Sequence, residues 1–145
     1  MRGFFTLLAL LILLLATTPA GAKDMIAGPI PGKVLAVLDG DTITVRLHIW
    51  IGQHIETHVR LAGIDTPEIK GKCAAERMRA AQARRELEAL LANSDVTLSN
   101  IRLEKYAGRV LADATNAEGV NLAAYLKDRG LARAYGGKRR LGWCE

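Results

Sequence analysis

Residues 42–50 alternate between apolar and polar positions. Ile43, Val45, Leu47 and Ile49 fall on one face, and Thr44, Arg46, His48 and Trp50 on the other. Residues 54–63 alternate in the same way, with Ile55, Val59, Leu61 and Gly63 on the apolar side. A period of two marks half-buried strands, and Ile51-Gly52-Gln53 between them reads as a hairpin loop. Residues 34–38 form a wholly apolar run, which predicts a strand buried on both faces. Residues 73–92 change period: they contain no Gly or Pro, and Ala80, Ala83, Leu87, Leu90 and Leu91 share a helical stripe that Asn93-Ser94 ends. Residues 96–103 and 109–114 predict two further strands. Residues 120–129 predict a second helix with Gly130 at its C′ position. Three strands, a helix, two strands and a helix predict a mainly β fold, a five-stranded OB-type barrel with two main helices. An open α+β sheet is the alternative.

The apolar faces of the hairpin must meet. This pairs Ile43 with Leu61, Val45 with Val59 and Ile49 with Ile55, and on the other face His48 with Glu56 and Arg46 with His58. A slip of one residue would bury charge. The same register sets Asp41 opposite Gly63, with Asp65 two residues beyond and Thr66, Pro67 and Glu68 following. Simple alternation sends Arg60 to the face opposite Asp41, so its long side chain, barrel twist or a bulge must bring it round. Asp41, Asp65 and Glu68 form an oxygen-rich cluster without His or Cys, which suits a hard cation, calcium or magnesium, rather than zinc. An arginine beside such a cluster suits a phosphate, because a guanidinium fork holds two oxygens at once. A polar barrel rim with turn-forming aspartates is the structural alternative.

The chain has 145 residues and a formal charge of +5. Arg2, the apolar run of residues 4–16 and the small-residue pattern Ala20-Gly21-Ala22 read as a secretory signal cleaved after Ala22. The run is short for a membrane span. Residues 23–32, with two prolines and two glycines, read as a flexible leader, and residues 33–145 as the domain. The expected product is exported, to the periplasm or the medium, without stable membrane association, and is a monomer. A basic exported domain suggests an anionic partner: nucleic acid, acidic polysaccharide or anionic lipid. Cys73 and Cys144 are its only cysteines, and in an oxidising compartment they predict one disulfide.

VLDGDT at 37–42, RLAGIDTPE at 60–68 and KYAGRVLA at 105–112 resemble the staphylococcal nuclease-like (thermonuclease) family, from about residue 34 to 135. DGDT is weak alone; the three motifs in this order are specific. The resemblance implies a five-stranded OB barrel and a calcium-dependent phosphodiesterase acting on DNA and RNA that leaves 3′-phosphate ends. It implies that Asp41, Asp65 and the backbone carbonyl of Thr66 hold Ca2+, that Glu68 positions or deprotonates the attacking water, and that Arg60 and Arg109 hold the phosphate. The loop after Glu68 is shorter than in the archetype, Ala107 is an extra residue within KYAGR, and the archetype's third helix has no counterpart. A non-catalytic OB-fold nucleic-acid-binding module is the alternative function. It would need the basic surface but not Glu68 or the aspartate pair.

Tyr106 and Tyr135 are candidates for stacking on a base. Trp143 reads as packing around the disulfide. His48, His54 and His58 read as solvated strand residues, and Arg77, Arg79, Arg84 and Arg85 as a solvated helix face. Lys138, Arg139 and Arg140 form a basic cluster open to two readings, solvated surface or contact with a nucleic-acid backbone.

Overall fold

A computed structural model of the protein describes residues 24–105 and 108–144. The expected signal, Tyr106 and Ala107 lie outside the described residues. In chain order the elements are β1 (Met25–Ile26), β2 (Ile30–Val37), β3 (Thr42–Trp50), β4 (Gln53–Leu61), β5 (Ile64–Asp65), α1 (Ala74–Leu90), β6 (Asp95–Leu103), β7 (Arg109–Asn116), α2 (Leu122–Asp128) and β8 (Arg133–Ala134). β2, β3 and β4 form an antiparallel meander, β6 pairs antiparallel with β2 and with β7, and β7 runs parallel to β4. These pairings close a five-stranded mixed barrel, the expected OB-type fold. Its interior holds Ile43, Val45, Leu47, Val59, Leu61, Leu98, Ala112 and Ala114, and it is continuous with Ala83 and Leu87 of α1 and Leu122 and Leu126 of α2.

The helix stripe read from sequence is the buried one: Ala80, Ala83 and Leu87 are fully covered. Cys73 caps α1, its Sγ accepting the Glu76 N–H at 3.4 Å. Asn121 caps α2, its Oδ1 accepting the Ala124 N–H at 2.9 Å. Gly130 follows the C-cap with φ +68°, the left-handed conformation expected at C′. Cys73 and Cys144 are joined by a disulfide across a separation of 71 residues. Closing a loop of that length contributes about 4 kcal/mol in the chain-entropy description. The bridge fastens the end of the chain to the start of α1.

Three expectations about the strands are corrected. The hairpin register is displaced by two residues: Ile43 faces Val59, Val45 faces Thr57, Arg46 faces Glu56 and His48 faces His54. The loop is tighter than expected, and a bulge between His48 and Trp50 takes up the difference. Parity is unchanged, so the buried face is still the odd-numbered one. Ile49 and Ile55 are nevertheless exposed. β2 pairs with β3 only as far as Leu47, and β7 pairs with β4 only from His58, so the hairpin tip projects beyond the barrel. The segment expected as a flexible leader instead enters two strands, Met25 facing Arg102 and Ile30 facing Leu98. The run at 34–38 is not buried on both sides: Leu35 and Leu38 face solvent, and the strand bulges between Val34 and Ala36.

Candidate active site

Asp41 sits in the bend before β3, not within it, so strand alternation does not govern its direction. The Leu61 N–H donates to the Asp41 carbonyl at 2.8 Å, which lays the bend along the end of β4. Asp39 belongs to the turn, its Oδ1 accepting the Asp41 N–H at 3.1 Å. Gly40 is required for a different reason. Its φ is not positive, but a Cβ there would stand 2.8 Å from Ala83 Cβ and 3.1 Å from Thr66 Cβ. The missing side chain lets the bend pass between α1 and Thr66.

Arg60 pairs with Thr42 across the hairpin. Its guanidinium is largely buried and reaches the face on which Asp41 lies. Nη2 is 3.3 Å from Asp41 Oδ2 and 3.8 Å from Asp65 Oδ1, while Nη1 is 3.6 Å from Glu104 Oε1. Arg109 starts β7 beside His58 because β7 runs parallel to β4. Its Nε and Nη2 both donate to Glu104, the second at 3.1 Å. Glu104 therefore holds Arg60 and Arg109 together, a role the sequence reading missed. The signal was an acid five residues before Arg109, directly after β6.

β5 carries Asp65, and its pairing with β8 packs the Asp65 carboxylate against the C-terminal residues. The Trp143 Nε1–H donates to Asp65 Oδ2 at 3.1 Å, so Trp143 does more than pack around the disulfide. Arg140 lies close by: Nε is 2.5 Å from Asp65 Oδ1, Nη2 donates to the Thr66 carbonyl at 3.1 Å, and Nη1 donates to Glu68 Oε1. Glu68 is exposed. The loop behind it is shaped by buried Glu76, which accepts the Glu68 N–H at 3.3 Å and the Lys72 N–H at 3.2 Å. Glu76, too, was not singled out from sequence.

Asp41, Arg60, Thr66, Glu68 and Arg109 line one cleft of about 1240 Å³, and Tyr135 and Arg140 lie on its wall. Asp65 joins the group through Arg60. Tyr135 is half buried, with the Arg60 guanidinium 5.8 Å from its ring centroid. Its hydroxyl donates to the Lys138 carbonyl at 2.6 Å. The histidines stay outside the cleft: His48 and His54 meet edge to face at 4.7 Å, and His58 bonds Thr44.

Two observations bear on whether these oxygens suit a cation. Asp65 Oδ1 is buried and lacks a hydrogen-bond partner, in spite of the arginines nearby. Burial pushes the Asp41 carboxyl up from 3.8 to about 6, against the pull of Arg60 and with the help of Asp39. Asp65 thus keeps an oxygen with no hydrogen bond and Asp41 a buried carboxyl, and with the Thr66 carbonyl they make an all-oxygen donor set of the kind a hard divalent ion takes. Among the described residues, the potential ligands that lie closest together are Cys73, Glu76 and Cys144, but the two sulfurs are already bonded to each other.

An acid with a raised folded pKa stabilises the fold only while protonated. That contribution is complete below about 3.8 and is lost as pH rises through about 6. In cation-free buffer, Asp41→Asn is therefore expected to melt above the parent protein at pH 7.5. The gain is on the order of 2 kcal/mol and shrinks as pH falls from 6 to 4. Thermal melts across that range check it.

A model of the family described as staphylococcal nuclease homologue matches residues 58–141. The chain belongs to the staphylococcal nuclease family. The match takes in Arg60, Asp65, Thr66, Glu68, Arg109 and Arg140. Two relatives described as uncharacterized endonucleases, one from Escherichia coli and one from Escherichia coli O157:H7, are each 29% identical over 114 residues. The match covers 77% of this chain and 65% of each relative, so the chain spans a little under two thirds of their length. The staphylococcal nuclease family is a nuclease family and is typically metal-dependent.

Proposed function

We propose that this protein is an exported, calcium-dependent nuclease that hydrolyses phosphodiester bonds of DNA and RNA and leaves 3′-phosphate ends. The observation that carries the reading is the meeting of Asp41, Thr66, Glu68, Arg60 and Arg109 around one cleft, with Asp65 joined to them through Arg60. Export is supported by the signal-like N-terminus and by the disulfide, a bond that persists in oxidising compartments.

Asp41, Asp65 and the Thr66 carbonyl would hold the calcium ion. When bound, the ion offsets the negative charge of the phosphodiester and orients it. Arg60 and Arg109 present donors to the phosphate oxygens, where charge grows as water attacks phosphorus. Glu104 fixes both guanidinia before substrate arrives, so little reorganisation is needed in the transition state. Glu68, exposed at the mouth, accepts the proton of the attacking water. The bond from phosphorus to the 5′ oxygen breaks, and that oxygen takes a proton from solvent, so the departing strand carries a 5′-hydroxyl. Tyr135 offers an aromatic face beside Arg60 for a neighbouring base.

The test is incubation of end-labelled single-stranded DNA and RNA oligonucleotides with calcium, followed by phosphatase treatment of the fragments. Cleavage with phosphatase-sensitive 3′ ends supports the reading. Oligonucleotides that are bound but remain intact would leave the protein a nucleic-acid-binding module instead.

A further inference from the structure

We propose that Arg140 is a built-in competitor of the divalent cation: its guanidinium sits on the oxygens that the cation needs, and the cation binds by displacing it. The proposal rests on the calcium reading above and adds to it a control on affinity.

Arg140 uses three nitrogens on three of the groups assigned to chemistry: the Asp65 carboxylate, the Thr66 carbonyl and the Glu68 carboxylate. The Asp65 contact is the decisive one. Oδ2 of this buried carboxylate is already taken by the Trp143 indole at 3.1 Å. Oδ1 is the oxygen left for a cation, and Arg140 Nε stands 2.5 Å from it. That contact is electrostatic and not an aligned hydrogen bond, since Oδ1 still lacks a hydrogen-bond partner. The guanidinium neutralises the oxygen without satisfying it. A spherical divalent ion, which has no directional donor requirement, would do both.

The backbone on either side of Arg140 is anchored. The Tyr135 hydroxyl holds the Lys138 carbonyl at 2.6 Å. Arg133 donates to the carbonyls of Leu141 and Gly142, both at 3.0 Å, and its guanidinium lies 3.6 Å from the Trp143 ring centroid. Cys144 is bonded to Cys73. The tail therefore keeps Arg140 at high effective concentration beside the site. The side chain itself is 35% exposed and lines the cleft. Arg60 differs: it also pairs with Glu104, and it stands farther from the aspartates, 3.3 Å from Asp41 Oδ2 and 3.8 Å from Asp65 Oδ1. A site blocked by its own side chain binds ligand more weakly by the fraction of molecules in which it is open. Displacing Arg140 also frees Glu68 to act as a base.

Calcium titration calorimetry on the purified, oxidised full chain tests this, with Tb3+ luminescence sensitised by Trp143 as a second readout. Arg140→Gln is expected to bind calcium at least about tenfold more tightly than the parent, corresponding to an open fraction of about 0.1 or less. Arg140→Lys, which keeps the charge but loses the planar fork, is expected to fall between the two. Arg139→Gln removes the same charge from the exposed neighbouring residue and is expected to change affinity less than about twofold, as for a charge screened by solvent. Equal gains in Arg139→Gln and Arg140→Gln would overturn the proposal in favour of a general charge effect. Unchanged or weaker binding in Arg140→Gln would overturn it while leaving the calcium reading in place. Absence of binding in every form, the parent included, would remove the calcium reading and the proposal together.

Discussion

Arg60→Gln is expected to lower kcat about 10³-fold and to destabilise the cation-free protein by about 3 kcal/mol. Both effects come from its position. Arg60 is buried among Asp41, Asp65 and Glu104, within 3.3 to 3.8 Å of each. Glutamine removes the charge and leaves three acids facing one another at low exposure. Buried like charges of this kind are relieved by protonation or by another cation. Added calcium is therefore expected to restore part of the lost stability, because it binds two of the stranded acids, but not the lost rate, because the phosphate has lost a donor. Melting curves with and without calcium, combined with kcat at saturating calcium, separate the two effects. A variant that melts like the parent in cation-free buffer would show that Arg60 does not balance these carboxylates.

Glu68→Gln is expected to reduce kcat by about 10²- to 10⁴-fold with little change in melting temperature. The Glu68 side chain is 54% exposed and its ion pair with Arg140 lies at the surface, where such pairs contribute about 0–1 kcal/mol. Glutamine keeps the shape and removes the proton acceptor. The limb of the pH–rate profile that rises with deprotonation of the base should vanish with it. Steady-state rates across pH, with a melting curve as control, provide the check. A kcat within a few-fold of the parent value would take Glu68 out of the proton transfer.

What could be read from the sequence, and what could not, follows from the physics of each signal. Period-two patterning identified β3 and β4 and their buried face, because inside and outside alternate along any half-buried strand. It could not distinguish two registers two residues apart, since both keep the same face inward. The bulge between His48 and Trp50 decided between them, and nothing in the local pattern marks it. Prolines and glycines made residues 23–32 look like a leader, yet Met25, Ile26 and Ile30 to Gly32 pair with β6, where long-range pairing outweighs local propensity. The α1 stripe and the Gly130 cap were legible because they are local.

The acids and arginines of the cleft were legible as a set because motif order brings them to one end of the hairpin. How Arg60 reaches Asp41 stayed open in the sequence because alternation was carried through to Asp41, which lies in a bend before the strand. Glu104 was overlooked although its contact with Arg109 is local, whereas Trp143 was read as packing and Arg140 as part of a basic cluster, neither of them against the acids. The last two make contacts that cross a tertiary gap: Trp143 and Arg140 meet Asp65 and Glu68 from more than 70 residues away, at a tail held by Cys73–Cys144. In sequence such residues are an aromatic beside a cysteine and a basic cluster, patterns that surface packing and solvation also produce.

The central claim, metal-assisted hydrolysis by this one cleft, is tested most directly by supercoiled plasmid cleavage by the purified protein in calcium and in excess chelator. Conversion to nicked, linear and then shorter products in calcium, abolished by chelator and restored by adding calcium back, is the expected result. Cleavage that continues undiminished in excess chelator would contradict it.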